Sequence, residues 1–367
     1  MTEPLTGGFP AVPAPPPDDG DAPRTPDALE ERLSRPTAGV RATLERVPGD
    51  VVVLGAGGKM GPSLARMVRR ALDDLGGAHA RRRVTAVSRW ADPAAGAAAR
   101  AQLADWGVET AAADLLDRRA IARLPDAPVV IYMTGLKFGT SDAPARMWAT
   151  NTVAPALAAE RYAGARVVAF STGNVYPLTP APGRGAAEDH PLTPLGEYSN
   201  ACVARERVLQ WACARHGSPL ALVRLSYAVD LRYGVLVDVA ERVRRGEPVD
   251  VRTGWVQVIW QGDANAQALT SLVRAGDPAF VVNVTGPEPL SVAEAALRFG
   301  RAFRREPVLV GRTAPDALLS DTSLARRLFG APAVSAARLA EWVAEWQRAG
   351  NPTLGRPTKF EVRDGRY

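Results

Sequence analysis

From Asp50 onward, short apolar runs alternate with longer amphipathic stretches, and this alternation restricts the chain to few folds. "VVVLG", "VTAVS", "PVVIYMTG", "RVVAFSTG" and "LALVRLS" read as strands, most of them too apolar to present one face to water. Between them lie helices. "PSLARMVRRALDDL" puts Leu64, Met67, Val68, Ala71, Leu72 and Leu75 on one helical face, with Pro62 in the first turn. "AAGAAARAQLADWG" and "ARMWATNTVAPALAAERYA" follow, and "YSNACVARERVLQWACARHG" is closed by Gly217. Strands and helices in alternation imply a parallel sheet wound on both faces.

The flanking segments differ. Residues 1–26 are rich in Pro and Asp without an apolar period, and read as a disordered tail. Residues 27–49 hold two short helices separated by Pro36, a helical N-terminal extension. Beyond residue 226 the pattern becomes irregular, with shorter helices and brief strands. Residues 227–367 are therefore expected to form mainly a smaller α+β substrate lobe, with some segments returning to the first domain.

Bulk composition excludes several classes. Among 367 residues the formal charge is +6, but the arginines are scattered among acids, as in "LEERLSRP" and "VARERVL". No basic stripe with interleaved aromatics points to nucleic acid. No apolar run is long enough to span a membrane, and no secretory signal opens the chain. Cys202 and Cys213 share one helix, which argues against bridging, so reduced thiols and a cytoplasmic location are expected. The three histidines are far apart and in no metal-ligand spacing, so no metal is expected.

The first chemical signal is "VVVLGAGGKMG". Gly55, Gly58 and Gly61 stand between a strand and a helix, and Lys59 and Met60 complete the turn. The chain must turn tightly there, let its backbone approach a diphosphate, and aim a helix N-terminus at the anion. This is the Rossmann-type dinucleotide arrangement, and it assigns residues 50–226 as an NAD(P)-binding domain. An acid at the end of the second strand would select NAD. The sequence has Ser88 and Arg89, which suit a 2′-phosphate, so NADP(H) is favoured. Asp92, nearby in the loop, keeps NAD(H) open.

Taken in order, the motifs resemble the extended short-chain dehydrogenase/reductase family, of the NAD(P)-dependent epimerase/dehydratase type, over roughly residues 50–350. "GAGGKMG" resembles the family's glycine turn. "AADLLD" resembles the adenine-contacting segment, which implies contacts from Asp114 and Leu115. "YMTGLKFG" is similar to the fourth-strand segment along the cofactor, which implies Met133, Thr134 and Gly135 beside it and Lys137 reaching its phosphates. "ATNTVAP" implies a structural asparagine, Asn151, and "FSTGNVYP" an active-site hydroxyl on Thr172. "YSNAC" stands where the family has Tyr-x-x-x-Lys, which makes Tyr198 the catalytic tyrosine. "WQGDANA" implies a structural acid at Asp263. The resemblance also allows a homodimer formed through helix pairs.

Two departures stand out. Cys202 occupies the lysine position, one helical turn from Tyr198, and a neutral thiol supplies neither charge nor strong donors. Lys137 and Arg205 are the candidate replacement cations. The family's Arg-Asp-Phe stretch, which holds a nucleotide-sugar diphosphate, is also missing from "RTGWVQVIWQGD". The expected activity is NAD(P)-dependent oxidoreductase or epimerase chemistry at a hydroxyl or keto carbon of a small sugar-like substrate, not a nucleotide-sugar. Tyr198 would move the proton and Thr172 would steady the oxygen. Substrate candidates are Asn174, His190, Arg232 and Trp260, with Arg252 a further anion site and Trp255 a further pocket residue. Glu188, Asp189 and His190 are candidates for a second acid/base, although a loop histidine more often has no catalytic role. Two alternatives remain: a redox-inactive NADP(H)-binding regulatory protein, and a lyase or dehydratase using the bound cofactor transiently.

Overall fold

The computed structural model describes residues 15–18, 20–137 and 143–366. Its centre is a seven-stranded parallel sheet. Five strands come first: β1 (Val51–Leu54), β2 (Val84–Ser88), β3 (Glu109–Ala112), β4 (Val129–Tyr132) and β5 (Arg166–Thr172). The strands Leu220–Leu225 and Phe280–Val284 complete it. Across the sheet the order is Phe280–Val284, Leu220–Leu225, β5, β4, β1, β2, β3. Strand β1 sits at the turning point, with Val51 opposite Val84 of β2 on one side and Val129 of β4 on the other.

Burial explains why "VVVL" forms that central strand. All four residues are buried, and alternate side chains enter two cores. Val51 and Val53 pack with Leu64, Met67, Val68, Ala71 and Leu72 of the helix Gly61–Leu75. Val52 and Leu54 pack on the other face with Leu157, Leu209 and Leu222. Each fully buried aliphatic side chain contributes about 1.5–3 kcal/mol, so a strand with no polar position is stable only with both faces covered.

A second core defines the C-terminal lobe. The helices Val235–Arg245, Val292–Phe303 and Ala336–Arg348 close around Val239, Val243, Phe299, Trp342 and Trp346. Trp260, expected as a substrate residue, belongs here. It is buried edge-to-face against Trp342, with ring centroids 5.5 Å apart. The helix Gln261–Thr270, buried along its whole length, packs instead against the sheet, which the strand Phe280–Val284 joins as an edge. Asp263 lies in that helix and accepts a hydrogen bond from the Val334 N–H at 3.1 Å, as a structural acid would; burial pushes its carboxyl up to about 7.

The N-terminal extension joins both cores. Helix α1 (Pro26–Leu33) is capped by Thr25 and sends Leu29 and Leu33 into the lobe. Helix α2 (Ala38–Arg46) is capped by Thr37 and sends Val40 and Leu44 into the sheet core. The expectation of disorder through residue 26 is corrected at its C-terminal end. The Asp18 N–H donates to the Ala333 carbonyl at 2.8 Å, its carboxylate pairs with Arg32, and Ala22 is buried. A Pro-rich stretch builds no core of its own, but backbone bonds and one ion pair hold it to a neighbour's. Residues 1–14 and 19 lie outside the described residues.

One buried ion pair ties the sheet to the long helix Gly196–Arg215. Arg224 binds Glu206 in bidentate fashion, at 3.0 and 2.8 Å, and both are almost fully buried. Ser171 donates to the same carboxylate, and Arg224 reaches the Tyr176 hydroxyl at 2.7 Å. Removing one partner strands the other charge, at about 3–5 kcal/mol. Glu206→Ala is accordingly expected to lower unfolding stability by about that amount in urea titration; a loss below about 1 kcal/mol would contradict the account.

Candidate active site

The site begins where β1 ends. Gly55 takes φ +91°, and the N–H groups of Gly55 and Ala56 both donate to the Val87 carbonyl at 2.9 Å. A Cβ on Gly61 would lie 2.4–2.6 Å from Ala56 backbone atoms, so glycine alone lets the helix Gly61–Leu75 start this close to the strand. No side chain caps that helix, which leaves its first N–H groups available to an anion.

Two connected depressions run over the carboxyl ends of the strands, at the crossover between β1 and β4 where ligands bind in doubly wound sheets. One, of about 260 Å³, is lined by the glycine turn, Ser88, Arg89, Asp114, Leu115, Met133, Thr134 and Gly135. The other, of about 410 Å³, is lined by Gly55, Gly58, Lys59, Met60, Gly61, Met133, Gly135, Lys137 and Tyr198. The glycine turn borders both. Its open Gly58 and the buried, unpaired Thr134 hydroxyl at the cleft wall fit an elongated dinucleotide. The Asp92 carboxylate accepts from the Ala95 N–H at 2.8 Å as a helix cap, and the end of β2 presents Ser88 and Arg89 instead. Asn151 is fully buried. Its amide donates to the Leu136 and Met147 carbonyls, each at 3.0 Å, so it holds the loop after β4 from behind and does not line the cleft.

Tyr198, Cys202 and Arg205 follow at helical spacing on one face of Gly196–Arg215, and Tyr198 and Arg205 line the larger depression. Cys202 is sealed beneath and hydrogen-bonded to Tyr198, and burial pushes its thiol up. Arg205 reaches Cys202 Sγ at 3.4 Å, Asn151 Oδ1 at 3.2 Å and the Thr134 carbonyl at 3.3 Å. Lys137 places its ammonium 5.6 Å from the Tyr198 ring centroid. Burial lowers the Lys137 pKa to about 8. Lys59 donates to the Ala228 carbonyl at 2.6 Å, lies 4.5 Å from the Tyr233 ring, and is likewise lowered by burial to about 8.

Other sequence-derived residues fall elsewhere. Thr172 ends β5, where its hydroxyl accepts from the Asn174 N–H and donates to Asn174 Oδ1; the adjacent Ser171 lines the cleft. Asn174 borders a separate 40 Å³ cavity with Tyr176, Thr253 and Phe360. Arg232 is corrected from substrate ligand to structural ion pair, bound to Glu30 at 2.6 Å and Asp230 at 2.9 Å. Arg252 is tied to Asp250 at the surface. His190 is half-buried on a loop, edge-on to the Tyr176 ring, with its Nδ1 3.0 Å from the Pro191 carbonyl. Glu188 accepts from the Asn283 N–H, and burial raises its carboxyl pKa. Both cysteines are free.

Sequence reasoning missed Ser171, Tyr233, Leu354 and Arg356, all of which line the larger depression. No periodicity marks the C-terminal pair; only the path of the chain brings them there. Among the described residues no helix is long and apolar enough to cross a membrane, and no cluster of His, Cys, Asp or Glu could hold a metal.

The sheet order and the cleft at its crossover define a dinucleotide-binding α/β enzyme with a tyrosine at its centre. The chain belongs to the NAD-dependent epimerase/dehydratase family, whose model matches residues 51–254, more than half of it. Among curated protein sequences, none matches it. Several solved structures share its fold. UDP-glucose 4-epimerase from Thermotoga maritima, solved with UDP-glucose, aligns at a TM-score of 0.65 with 18% identity, covering 82% of this chain and 99% of that one. UDP-glucuronic acid 4-epimerase from Bacillus cereus, in complex with NAD, aligns at 0.64 with 17% identity, covering 82% and 99%. A short-chain dehydrogenase/reductase superfamily protein from Agrobacterium tumefaciens, with bound NAD, aligns at 0.64 with 18% identity, covering 81% and 97%.

Proposed function

We propose that this enzyme binds a nicotinamide dinucleotide across the crossover cleft and acts at a hydroxyl or keto carbon of a small sugar-like substrate carrying no nucleotide. The observation that carries the reading is Tyr198 facing the same depression as the glycine turn, with Lys137 and Arg205 beside it. The bound dinucleotide supplies a hydride acceptor or donor. Gly55, Gly58 and Gly61 with the N-terminus of their helix hold its diphosphate, Asp114 and Leu115 its adenine end, and Met133–Gly135 flank its length. Ser88 and Arg89 favour a 2′-phosphate, hence NADP(H), and Asp92 is already engaged as a cap.

Tyr198 takes the proton from a substrate hydroxyl in oxidation and returns it to a carbonyl in reduction. The cation the family takes from lysine comes instead from Lys137 and Arg205. The hydroxyl that steadies the substrate oxygen is assigned to Thr172, which holds the family position at the end of β5 and would turn its proton from Asn174 to the substrate; the proton of Ser171 is held by Glu206. Adjacent to a newly formed ketone the C–H is acidic, so epimerisation is open to the same site.

Two features favour a substrate without a nucleotide. The diphosphate-binding Arg-Asp-Phe stretch is missing. The C-terminal segment also covers part of the lobe face, bonded at Arg232, Asp238 and Thr253, and between Phe360–Gly365 and the lobe lies a cavity of 40 Å³. Val153 and Trp211, exposed on the adjacent helices Pro144–Arg161 and Gly196–Arg215, suit a homodimer, and the two free thiols suit the cytoplasm. Cys202 favours one second reading, a redox-inactive NADP(H)-binding regulator; a sugar-dependent change in nicotinamide absorbance would exclude it.

Three outcomes test the assignment. Tyr198→Phe should reduce turnover at least about a hundredfold while dinucleotide binding, followed by fluorescence, survives; unchanged turnover removes Tyr198 from the chemistry. The Lys137 ammonium has a lowered pKa, so its charge is present below about pH 8 and is lost as pH rises through that value. Activity should fall over that range, and Lys137→Met should lower turnover and abolish this limb; an unaltered profile refutes the role. Arg89→Ala should weaken NADP(H) more than NAD(H), and equal weakening would remove the NADP preference.

A further inference from the structure

We propose that the substrate carries an oxyanion, a carboxylate or a phosphate ester, and that Arg356 on the C-terminal strap is the residue that holds it. The inference rests on the sugar-directed reading above and adds the substrate's charge and the residue selecting it.

Among the described residues the larger depression is lined by four cations, Lys59, Lys137, Arg205 and Arg356, and by no carboxylate. Three are already engaged within the protein. Lys59 is bonded to the Ala228 carbonyl and lies over Tyr233; Arg205 is bonded to Asn151, Thr134 and Cys202; Lys137 lies over Tyr198. Arg356 makes no hydrogen bond or ion pair to a described residue, and its side chain is exposed at the cleft rim. Arg232 and Arg252, by contrast, are neutralised, the first by Asp230 and Glu30 and the second by Asp250.

The backbone around Arg356 is anchored on both sides. The Leu354 N–H donates to the Arg232 carbonyl at 2.9 Å. Beyond it, the N–H and hydroxyl of Thr358 both donate to Asp238, at 2.8 and 2.6 Å. Phe360 is buried in the lobe core, and its carbonyl accepts from Thr253. Further on, Arg363 pairs with Asp316, and Gly365 packs against Leu195 and Gly196, where the Tyr198 helix starts. The strap thus bridges the lobe and the catalytic helix and offers one guanidinium to the cleft between two fixed points. A planar guanidinium on a fixed backbone suits bidentate capture of a carboxylate or phosphate, and binding has to order the side chain but not the backbone. A depression whose described lining carries four cations attracts an anion.

The test is binding to dinucleotide-loaded enzyme, by calorimetry, of three panels: neutral sugars, sugar acids and sugar phosphates. Sugar acids or sugar phosphates should bind at least about tenfold tighter than neutral sugars, and the tighter panel identifies which oxyanion is used. Arg356→Gln should erase that preference, Arg356→Lys should retain part of it, and dinucleotide affinity should be unchanged in both. In turnover the Gln variant should raise KM and leave kcat nearly intact. Equal binding of neutral and anionic sugars, or a preference that survives Arg356→Gln, overturns the proposal without touching the sugar reading. Weakened dinucleotide binding in the variant overturns it too, since Arg356 would then be a cofactor clamp. No sugar binding of any kind, with the dinucleotide still bound, sinks the sugar reading and this proposal together.

Discussion

The approach of the helix Gly61–Leu75 to the backbone at Ala56 is the constraint on which the rest of the structure depends. It fixes how near the helix N-terminus comes to the end of β1, and therefore where an anion can be held. The sheet crossover opens the cleft at the same place, between β1 and β4. A side chain at position 61 would push the helix away from the strand, and the two features would no longer coincide. The central strand has no polar position to compensate, because both faces of "VVVL" are committed to separate cores. The glycine is thus a packing requirement first, and the anion site follows from it.

The loss of the lysine beside Tyr198 is the main chemical question. A thiol at position 202, buried and with its pKa raised, offers no charge to favour a phenolate. A cation close to a phenol favours its phenolate, and the Lys137 ammonium lies 5.6 Å from the Tyr198 ring centroid. In the proposed mechanism the charge reaches the tyrosine from Lys137 in the loop after β4 as well as from Arg205 on its own helix. That relocation makes Asn151 important although it touches no ligand. It pins the Leu136 carbonyl and meets Arg205, so one buried amide positions the supports of both cations.

The sheet and the glycine turn were legible because they depend on local periodicity and on residues with special backbone freedom. The strands and helices read between Asp50 and Leu225 needed nothing beyond apolar spacing, whereas β3, an edge strand with no buried residue, left no such signal. Arg232 and Trp260 were misread for a common reason. Both residue types serve structure or ligand equally well, and only the partner decides. Glu30 lies about 200 positions from Arg232, and Trp342 about 80 from Trp260. No local pattern encodes such distances. The tail was misjudged in the same way: its composition truthfully reports that it has no core of its own, but not that Ala333 and Arg32 would hold Asp18.

The two ends of the chain show how this family's fold can be made selective without altering its centre. Helix α1 and the segment before it bind the lobe, while α2 binds the sheet, which limits how far the two bodies can part. The C-terminal strap crosses between the same two bodies on the cleft side, from Asp238 and Thr253 to Leu195 and Gly196. A cleft held by such ties cannot widen for a long substrate without breaking several buried hydrogen bonds, each worth about 0.5–1.5 kcal/mol. Selectivity of this kind is mechanical. On the proposed reading the site accepts what fits beneath the strap, and Tyr198 would act on the carbon brought to it.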